Sequence, residues 1–372
     1  MVRLDELCII NMGQSPDSST YNEDGNGLPF FQGNADFGVT YPVVRMWCSE
    51  PTKRAQIDDI LISVRAPIGA LNIANCECCI GRGLAALTVN KNSCIQKYLW
   101  YALSNKVEEL NSKGTGSTFK AINKKILAET EIPLPPLDEQ RKIAAVLDKV
   151  SSLIAKRRQQ LDKLDELIKA RFVEMFGGIH NSLDFPYLPI KDFTSVISGG
   201  TPDRNSPRYW NSGEIKWVKT TELQNKVIND TEEKITREGL ENSSAKMVPA
   251  NTILIAMYGQ GKTRGMTGYL SVEASTNQAC ACILPSQKIN QKYLWQYMIL
   301  SYEKLRSLAK GGNQPNLNGA MIKNFPVLVP PIELQNQFAA FVEQTEKTKT
   351  AISRSLEKLE TLKKALMQEY FG

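Results

Sequence analysis

Two stretches of the chain place apolar residues three and four apart. In residues 137–176 these are Ile143, Val146, Val150, Leu153, Leu161, Leu164, Ile168, Phe172 and Met175, with no Gly or Pro between them. In residues 330–372 the pattern returns as Phe338, Phe341, Val342, Ile352, Leu356, Leu359, Leu362 and Leu366. That period gathers the apolar groups on one stripe of an α-helix. Each stretch follows a Pro-Pro step, and Asp138 and Glu139 fill the first turn of the first one, where the helix dipole favours acids. A helix of about 38 residues is roughly 57 Å long. One narrow stripe on so long a helix predicts helix pairing, and pairing the two with each other is the economical solution. Two independent bundle helices are the alternative. The polar faces are rich in Lys and Arg, densest at Lys156-Arg157-Arg158, which reads as a solvated face, with phosphate contact as the minority reading.

The other segments read differently. Ile60-Leu61-Ile62-Ser63-Val64 and Ile253-Leu254-Ile255-Ala256-Met257 are short apolar runs suited to strands, as are Phe30-Phe31 and Trp217-Val218. Loops of Gly, Pro, Asn and Ser separate them. Tyr98 to Leu110 and Tyr293 to Leu308 have helical spacing, and a Gly-rich polar loop follows each. The predicted fold class is α/β (α+β).

The chain also repeats itself once. Gln96-Lys97-Tyr98-Leu99-Trp100 recurs as Gln291-Lys292-Tyr293-Leu294-Trp295, an offset of 195 (96 to 291). Pro135 to Gln140 recurs as Pro330 to Gln335, and Phe176-Gly177 as Phe371-Gly372, at the same offset. Earlier in each half the match is looser. Gly13-Gln14-Ser15-Pro16 answers Gly199-Gly200-Thr201-Pro202, Asp59 to Ile62 answers Thr252 to Ile255, and Ile80 to Ala85 answers Thr276 to Ala281, at offsets of 186, 193 and 196. Insertions that accumulate and cancel are what loop-length changes between paired strands produce. The predicted order is an α/β segment (1–134), a long helix (135–178), a second α/β segment (179–329) and a second long helix (330–372). The linker between the halves is Gly177 to Pro186.

Composition narrows the chemistry. Among 372 residues, Lys plus Arg is 45 and Asp plus Glu is 39, a formal charge of +6. That bias permits a nucleic-acid partner without demanding one. No apolar run reaches the roughly 18–20 residues of a membrane span, and Asp5-Glu6 sits where a signal peptide has its apolar stretch. A cytosolic location is expected. The eight cysteines are expected as buried thiols, with zinc at the Cys76, Cys78 and Cys79 cluster, or a disulfide, as lesser alternatives. Cys280 and Cys282 fall on one face of a strand. The single histidine, His180, lies in the polar linker, which removes Ser-His-Asp and Cys-His catalysis.

Ala256 to Thr263 fits a relaxed phosphate-loop pattern after a strand, with Lys262 as its lysine. Gly265 and Gly268 then fall in the would-be first helical turns, each unfavourable by about 1 kcal/mol. The counterpart, Ser63 to Ala70, lacks the pattern. A basic loop carrying Lys262 and Arg264, matched by Arg65 in the first half, is the simpler reading; a nucleotide-binding coiled-coil protein using Lys262 is the alternative. A purely structural scaffold is disfavoured by the loop-rich, diverged α/β segments. No Asn/Asp-Pro-Pro-Tyr/Phe motif, dinucleotide fingerprint or paired carboxylates occur, so no catalytic constellation is expected.

At this point one family resemblance stands out. It is carried by Gly13-Gln14-Ser15-Pro16, Leu28-Pro29-Phe30, Ile80-Gly81-Arg82-Gly83-Leu84-Ala85-Ala86-Leu87, the box Leu134-Pro135-Pro136-Leu137-Asp138-Glu139-Gln140-Arg141-Lys142-Ile143-Ala144, and Phe176-Gly177. The second set is Gly199-Gly200-Thr201-Pro202, Ile215 to Thr220, Asn277-Gln278-Ala279-Cys280 and Val329-Pro330-Pro331-Ile332-Glu333-Leu334-Gln335. Together they resemble the specificity (S) subunit of Type I restriction-modification enzymes over essentially the whole chain. The second box departs at Glu333-Leu334 from Asp-Glu.

The resemblance implies two target-recognition domains, each reading one half of a bipartite, asymmetric site in double-stranded DNA. They would be separated by two long antiparallel helices that dock two methyltransferase subunits, with restriction subunits joining through the complex. It implies no cofactor in this chain: S-adenosylmethionine belongs to the methyltransferase, ATP and Mg to the restriction subunit. One DNA turn is about 34 Å, so a rigid helical pair is a suitable ruler. Arg reads guanine, Asn or Gln reads adenine, and Lys positions phosphates. The candidate DNA contacts are therefore Arg65, Arg82, Lys113, Ser117, Thr118 and Lys120 in the first half. In the second half they are Arg204, Lys219, Lys262, Arg264, Lys310, Gln314 and Asn316.

Overall fold

The structure, a computed structural model, describes residues 1–116, 120–179, 185–259, 261–309 and 315–372. It divides into two compact units, Met1–Gln159 with Ser353–Gly372, and Gln160–Ile352. Among the described residues no helix is long and apolar enough to cross a membrane.

In the first unit the strands longer than two residues are β1 (Cys8–Met12), β2 (Leu28–Phe31), β3 (Ile60–Ser63), β4 (Leu71–Ile73), β5 (Cys78–Ile80) and β6 (Leu84–Val89). One antiparallel sheet has the order β1-β6-β3-β4. In a second sheet β2 runs parallel to β5, pairing Phe31 with Ile80. All four residues of β3 are buried because both faces of its sheet are covered. Ile60 and Ile62 pack with Tyr98 and Leu99 of the helical layer, while Leu61 packs with Phe31 and Ile80 of the second sheet. Such a strand reads as an unbroken apolar run. The main helices are α1 (Gln96–Asn105), α2 (Val107–Ser112), α3 (Lys124–Ala128) and the long α4 (Leu137–Phe176).

The second unit repeats the plan. Its main strands are β7 (Val196–Ser198), β8 (Ile215–Val218), β9 (Lys226–Ile228), β10 (Ile253–Ala256), β11 (Thr267–Leu270), β12 (Ala274–Thr276) and β13 (Cys280–Ile283). One sheet has the order β7-β13-β10-β11-β9, and β8 runs parallel to β12 in another. Its main helices are α5 (Gln291–Leu300), α6 (Tyr302–Ser307), α7 (Gly319–Lys323) and the long α8 (Ile332–Phe371). All four strand runs and both long helices expected from sequence are present. The two shorter helical stretches each break once, at Lys106 and Ser301.

α4 and α8 are 40 residues each, and each is divided between the units. Within the first unit, Arg158 of α4 pairs with Glu360 of α8 at 2.7 Å, and Lys363 lies over Tyr101, whose hydroxyl donates to Asp148. Within the second, Asp165 pairs with Lys349 at 2.7 Å, Arg171 lies over Phe341, and Phe172 meets Phe338 edge-on at 5.5 Å. In both, α4 numbers rise as α8 numbers fall, so the helices pair antiparallel rather than standing as independent bundle members. The stripe itself needs correction. Ile143, Val150 and Ile168 are buried, and Leu161, Leu164, Ile352, Leu356, Leu359 and Leu366 are half-buried. Val146 and Leu153 are 41% and 38% exposed; Ala144, Leu147 and Ile154 take the inner face instead. At 3.6 residues per turn, Leu147 and Ile154 lie about 40° and 20° from Ile143, whereas Val146 and Leu153 lie about 60° and 80° away.

The Pro-Pro box has a structural cause that its residue types did not disclose. Gln140, 1% exposed, accepts from Ile95 N at 2.8 Å and donates to Pro135 O (2.8 Å) and Ser93 O (3.1 Å). Gln335, also 1% exposed, accepts from Asn290 N at 2.9 Å and donates to Pro330 O at 2.8 Å. Each carboxamide ties the start of a long helix to the start of α1 or α5. The helix ends are tied as well: Phe371 lies 5.2 Å from Tyr98, and Phe176 lies 5.5 Å from Tyr293.

Seven of the eight cysteines are buried, and Cys76 is half-buried. Cys78 and Cys79 project from opposite faces of β5, the first into a core with Leu61, the second into one with Phe30 and Cys48. They therefore diverge rather than converge on one metal-sized site. Burial pushes the Cys78 thiol up to about 12 and Cys79 up to about 11. Cys280 and Cys282 share one face and one core, as expected.

Two outcomes are expected. Gln140→Leu strands a buried amide and its carbonyl partners, so it should lower the unfolding free energy by about 1–3 kcal/mol. This is read as a drop in the denaturant midpoint of the whole chain, with exposed mid-helix Lys149→Gln as the neutral control. Iodoacetamide on the native chain should label Cys76 first, and the seven buried thiols only after denaturation, as read by peptide mass spectrometry.

Candidate nucleic-acid interface

The sequence-selected cations of the first half converge on one end of the β1-β6-β3-β4 sheet. β1 leaves the sheet at Gly13, whose amide donates to Leu84 O at 2.9 Å. β3 leaves it at Val64, which donates to Gly83 O at 2.9 Å, so Arg65 and Arg82 emerge from neighbouring strands. Ala66 N donates to Lys120 O at 3.0 Å, and Arg65 bridges to Ala121, which draws Lys120 to the same end. Arg65, Arg82 and Lys120 are exposed and make no ion pair among the described residues. Lys113 is exposed but paired with Glu109 at 2.6 Å. Ser117 and Thr118 lie outside the described residues.

Glycine opens this end for a steric reason. A Cβ at Gly13 would sit 2.1 Å from Gly81 O, and one at Gly199, its neighbourhood in the second unit, 2.1 Å from Thr276 O. The Gly-Gln-Ser-Pro and Gly-Gly-Thr-Pro segments cross the sheet end at backbone contact distance.

The second unit places Lys262 and Arg264 at the corresponding end of β7, β10 and β13. β10 and β11 are antiparallel neighbours, and Gly265 N donates to Ala256 O at 2.9 Å, closing the turn that carries Lys262 and Arg264. No helix follows Lys262: Thr263 to Met266 turn directly into β11. A phosphate cradle needs a helix N-terminus there, so the nucleotide-binding alternative loses its geometry. Lys262 is exposed without an ion pair among the described residues. Arg264 is half-buried and braces the end: it donates to Pro315 O, while its own carbonyl accepts from Arg306 at 2.9 Å. Asn316, next to Pro315, is half-buried. Lys310, Gln314 and His180 lie outside the described residues.

Arg204 and Lys219 are the most constrained candidates. The Arg204 guanidinium lies over Trp210 at 3.8 Å and Trp217 at 4.7 Å, and bonds Glu233 at 2.5 Å. Lys219 bonds Glu232 at 2.9 Å and Glu233 at 3.0 Å, which raises its pKa above the ordinary value. Burial pushes Glu233 up, but its bonds from Arg204 and Lys219 outweigh that and hold it below the usual carboxylate range. These two cations are already neutralised in place.

Sequence reasoning passed over Ser15, Gln32, Thr201 and Gln278 at the same sheet ends. Ser15 Oγ accepts from Arg82 N at 3.2 Å and from Gln32 Nε2 at 3.1 Å, and Thr201 Oγ1 donates to Gln278 Oε1. The 186 and 196 offsets align Ser15 with Thr201 and Arg82 with Gln278, which is the signal of these positions in the sequence.

Comparison with known proteins agrees with this layout. The profile of the type I restriction modification DNA specificity domain matches residues 1–166 and 184–363. A Methanocaldococcus jannaschii protein, provisionally named the type I restriction enzyme MjaX specificity subunit, is 45% identical over 160 residues, which is 43% of this chain and only 38% of that relative. The type I restriction enzyme MjaIX specificity subunit of the same organism is 26% identical over 309 residues, 76% of this chain and 70% of its own. A crystal structure of the Type-I restriction-modification system S subunit from M. genitalium has the same fold, with a TM-score of 0.60 at 16% identity, covering 100% of this chain and 95% of that one. Two recognition-type units, a repeated helix box and a profile match over both halves lead to one conclusion: the chain belongs to the family of type I restriction-modification DNA specificity subunits, the non-catalytic kind of subunit in those systems.

Proposed function

We propose that this chain reads DNA for a type I restriction-modification complex in the cytoplasm, each unit recognising one half of a bipartite, asymmetric duplex site. The observation that carries this is the gathering of exposed basic and amide side chains at the same sheet end in both units, on two frames that repeat in backbone but differ in side chains. Loops on a rigid scaffold are where recognition residues sit. Arg65, Arg82, Lys120 and Lys262 supply uncommitted positive charge to phosphates or guanine, while Arg204 and Lys219, tied to Glu233, shape the surface beside them.

The methyltransferase subunits, two of them, dock on the long helices, and restriction subunits join through that assembly. Support comes from exposed apolar side chains on the helix faces turned away from the core, Val146, Leu153, Leu167, Val173 and Leu362, at 38–55% exposure. S-adenosylmethionine is held by the methyltransferase, ATP and Mg by the restriction subunit; this chain contributes the address.

The decisive test is to map methylated adenines in the host genome with and without this chain. One bipartite motif should vanish with its loss; an unchanged map would refute the reading. A finer outcome concerns charge. Removing one phosphate contact by Lys120→Ala or Arg65→Ala should flatten the slope of log affinity against log salt by about 0.9. Lys113→Ala, whose charge is already matched by Glu109, should change it less.

A further inference from the structure

Two turns, one in each unit, share a hydrogen-bond frame but not the residue at the tip. In the first, Gly81 N donates to Phe31 O (2.8 Å), Leu84 N to Gly81 O (3.0 Å) and Gln14 N to Ile80 O (3.1 Å). In the second, Asn277 N donates to Val218 O (3.0 Å), Cys280 N to Asn277 O (3.1 Å) and Gly200 N to Thr276 O (2.9 Å). Bond for bond the frames correspond, and they place Arg82 and Gln278 at the same point. Both side chains are exposed. Each tip is held by a hydroxyl from the matching crossing segment. Ser15 Oγ accepts from the Arg82 backbone at 3.2 Å, which fixes the base of the side chain and leaves the guanidinium without an ion pair among the described residues. Thr201 Oγ1 donates to Gln278 Oε1, which sets the carboxamide plane and leaves one Oε1 lone pair and the Nε2 hydrogens for a ligand.

The chemistry of the two tips differs in one respect. A guanidinium donates twice, matching O6 and N7 of guanine; a carboxamide accepts once and donates once, matching N6 and N7 of adenine. Resting on the DNA-reading function above, we propose that residues 82 and 278 are equivalent base-reading positions. Arg82 selects guanine in one half-site, Gln278 selects adenine at the corresponding place in the other, and Thr201 is a positioning residue for Gln278. On this account the asymmetry of the target arises in part from a single side-chain difference on a repeated frame.

The test is selection of bound duplexes from a randomised library by the full chain, purified from its host with its bound partners. The wild-type chain should select a bipartite site with guanine favoured at one position and adenine at its counterpart, each by about 5- to 150-fold over other bases. Arg82→Gln should convert that guanine to adenine, and Gln278→Arg that adenine to guanine, each leaving the other half-site and the spacer untouched. Thr201→Val should weaken the adenine preference at that position alone, which a loss of general stability does not do. A wild-type chain that selects no sequence refutes the DNA-reading function itself. A wild-type chain that selects a bipartite site while both exchanges, still folded and binding, keep the original bases overturns the present inference and leaves that function standing.

Discussion

A forty-residue helix with one apolar stripe cannot persist alone in water, because its stripe must be covered along its whole length. Everything else here follows from how that cover is supplied. The opening turns of α4 and the closing turns of α8 are buried in one compact unit, and the closing turns of α4 and the opening turns of α8 in the other. Each unit is therefore completed by helix from both halves of the chain. This explains why the segments that recur at a strict offset of 195 are the helix start, with its buried Gln140 or Gln335, the helix end, with its buried Phe176 or Phe371, and the start of α1 or α5, to which both are tied. A one-residue slip at either point would turn a buried carboxamide or ring toward water.

The sheet ends obey a looser rule. Between the two units the offset drifts from 186 to 196 across the loops, yet the backbone bonds at the tips correspond one by one. Loop length changes no core contact, so the tips vary in side chain while the frame is kept. A scaffold of this kind separates what must be constant for folding from what must differ for recognition.

Charge has to be read after pairing. The surplus of six positive charges says little, because Lys113, Arg204 and Lys219 are each matched by a carboxylate within 3.0 Å. Trp210 and Trp217 add a stacking surface that orients Arg204. What distinguishes Arg65, Arg82, Lys120 and Lys262 is exposure without such a partner among the described residues, together with their place in the loops at the sheet ends.

The sequence by itself determined the class of the fold, the single repeat, the two long helices and the family, because periodicity and a fixed offset are local or pairwise properties that survive in one dimension. It also singled out Arg65 and Arg82, which the fold brings to one sheet end because each lies two residues from the end of a strand. Only the tertiary structure decided which side of each helix is inside. Spacings of three and four bracket 3.6, and the error accumulated over ten residues carries Val146 and Leu153 out of the core and brings in Leu147 and Ile154. Only the fold could also show that Gln140 is a buried clamp, that Lys262 precedes a strand and not a helix, and that Glu233 neutralises Arg204 across 29 residues of chain. Each of these depends on a contact between residues distant in sequence, and no local pattern encodes such a contact.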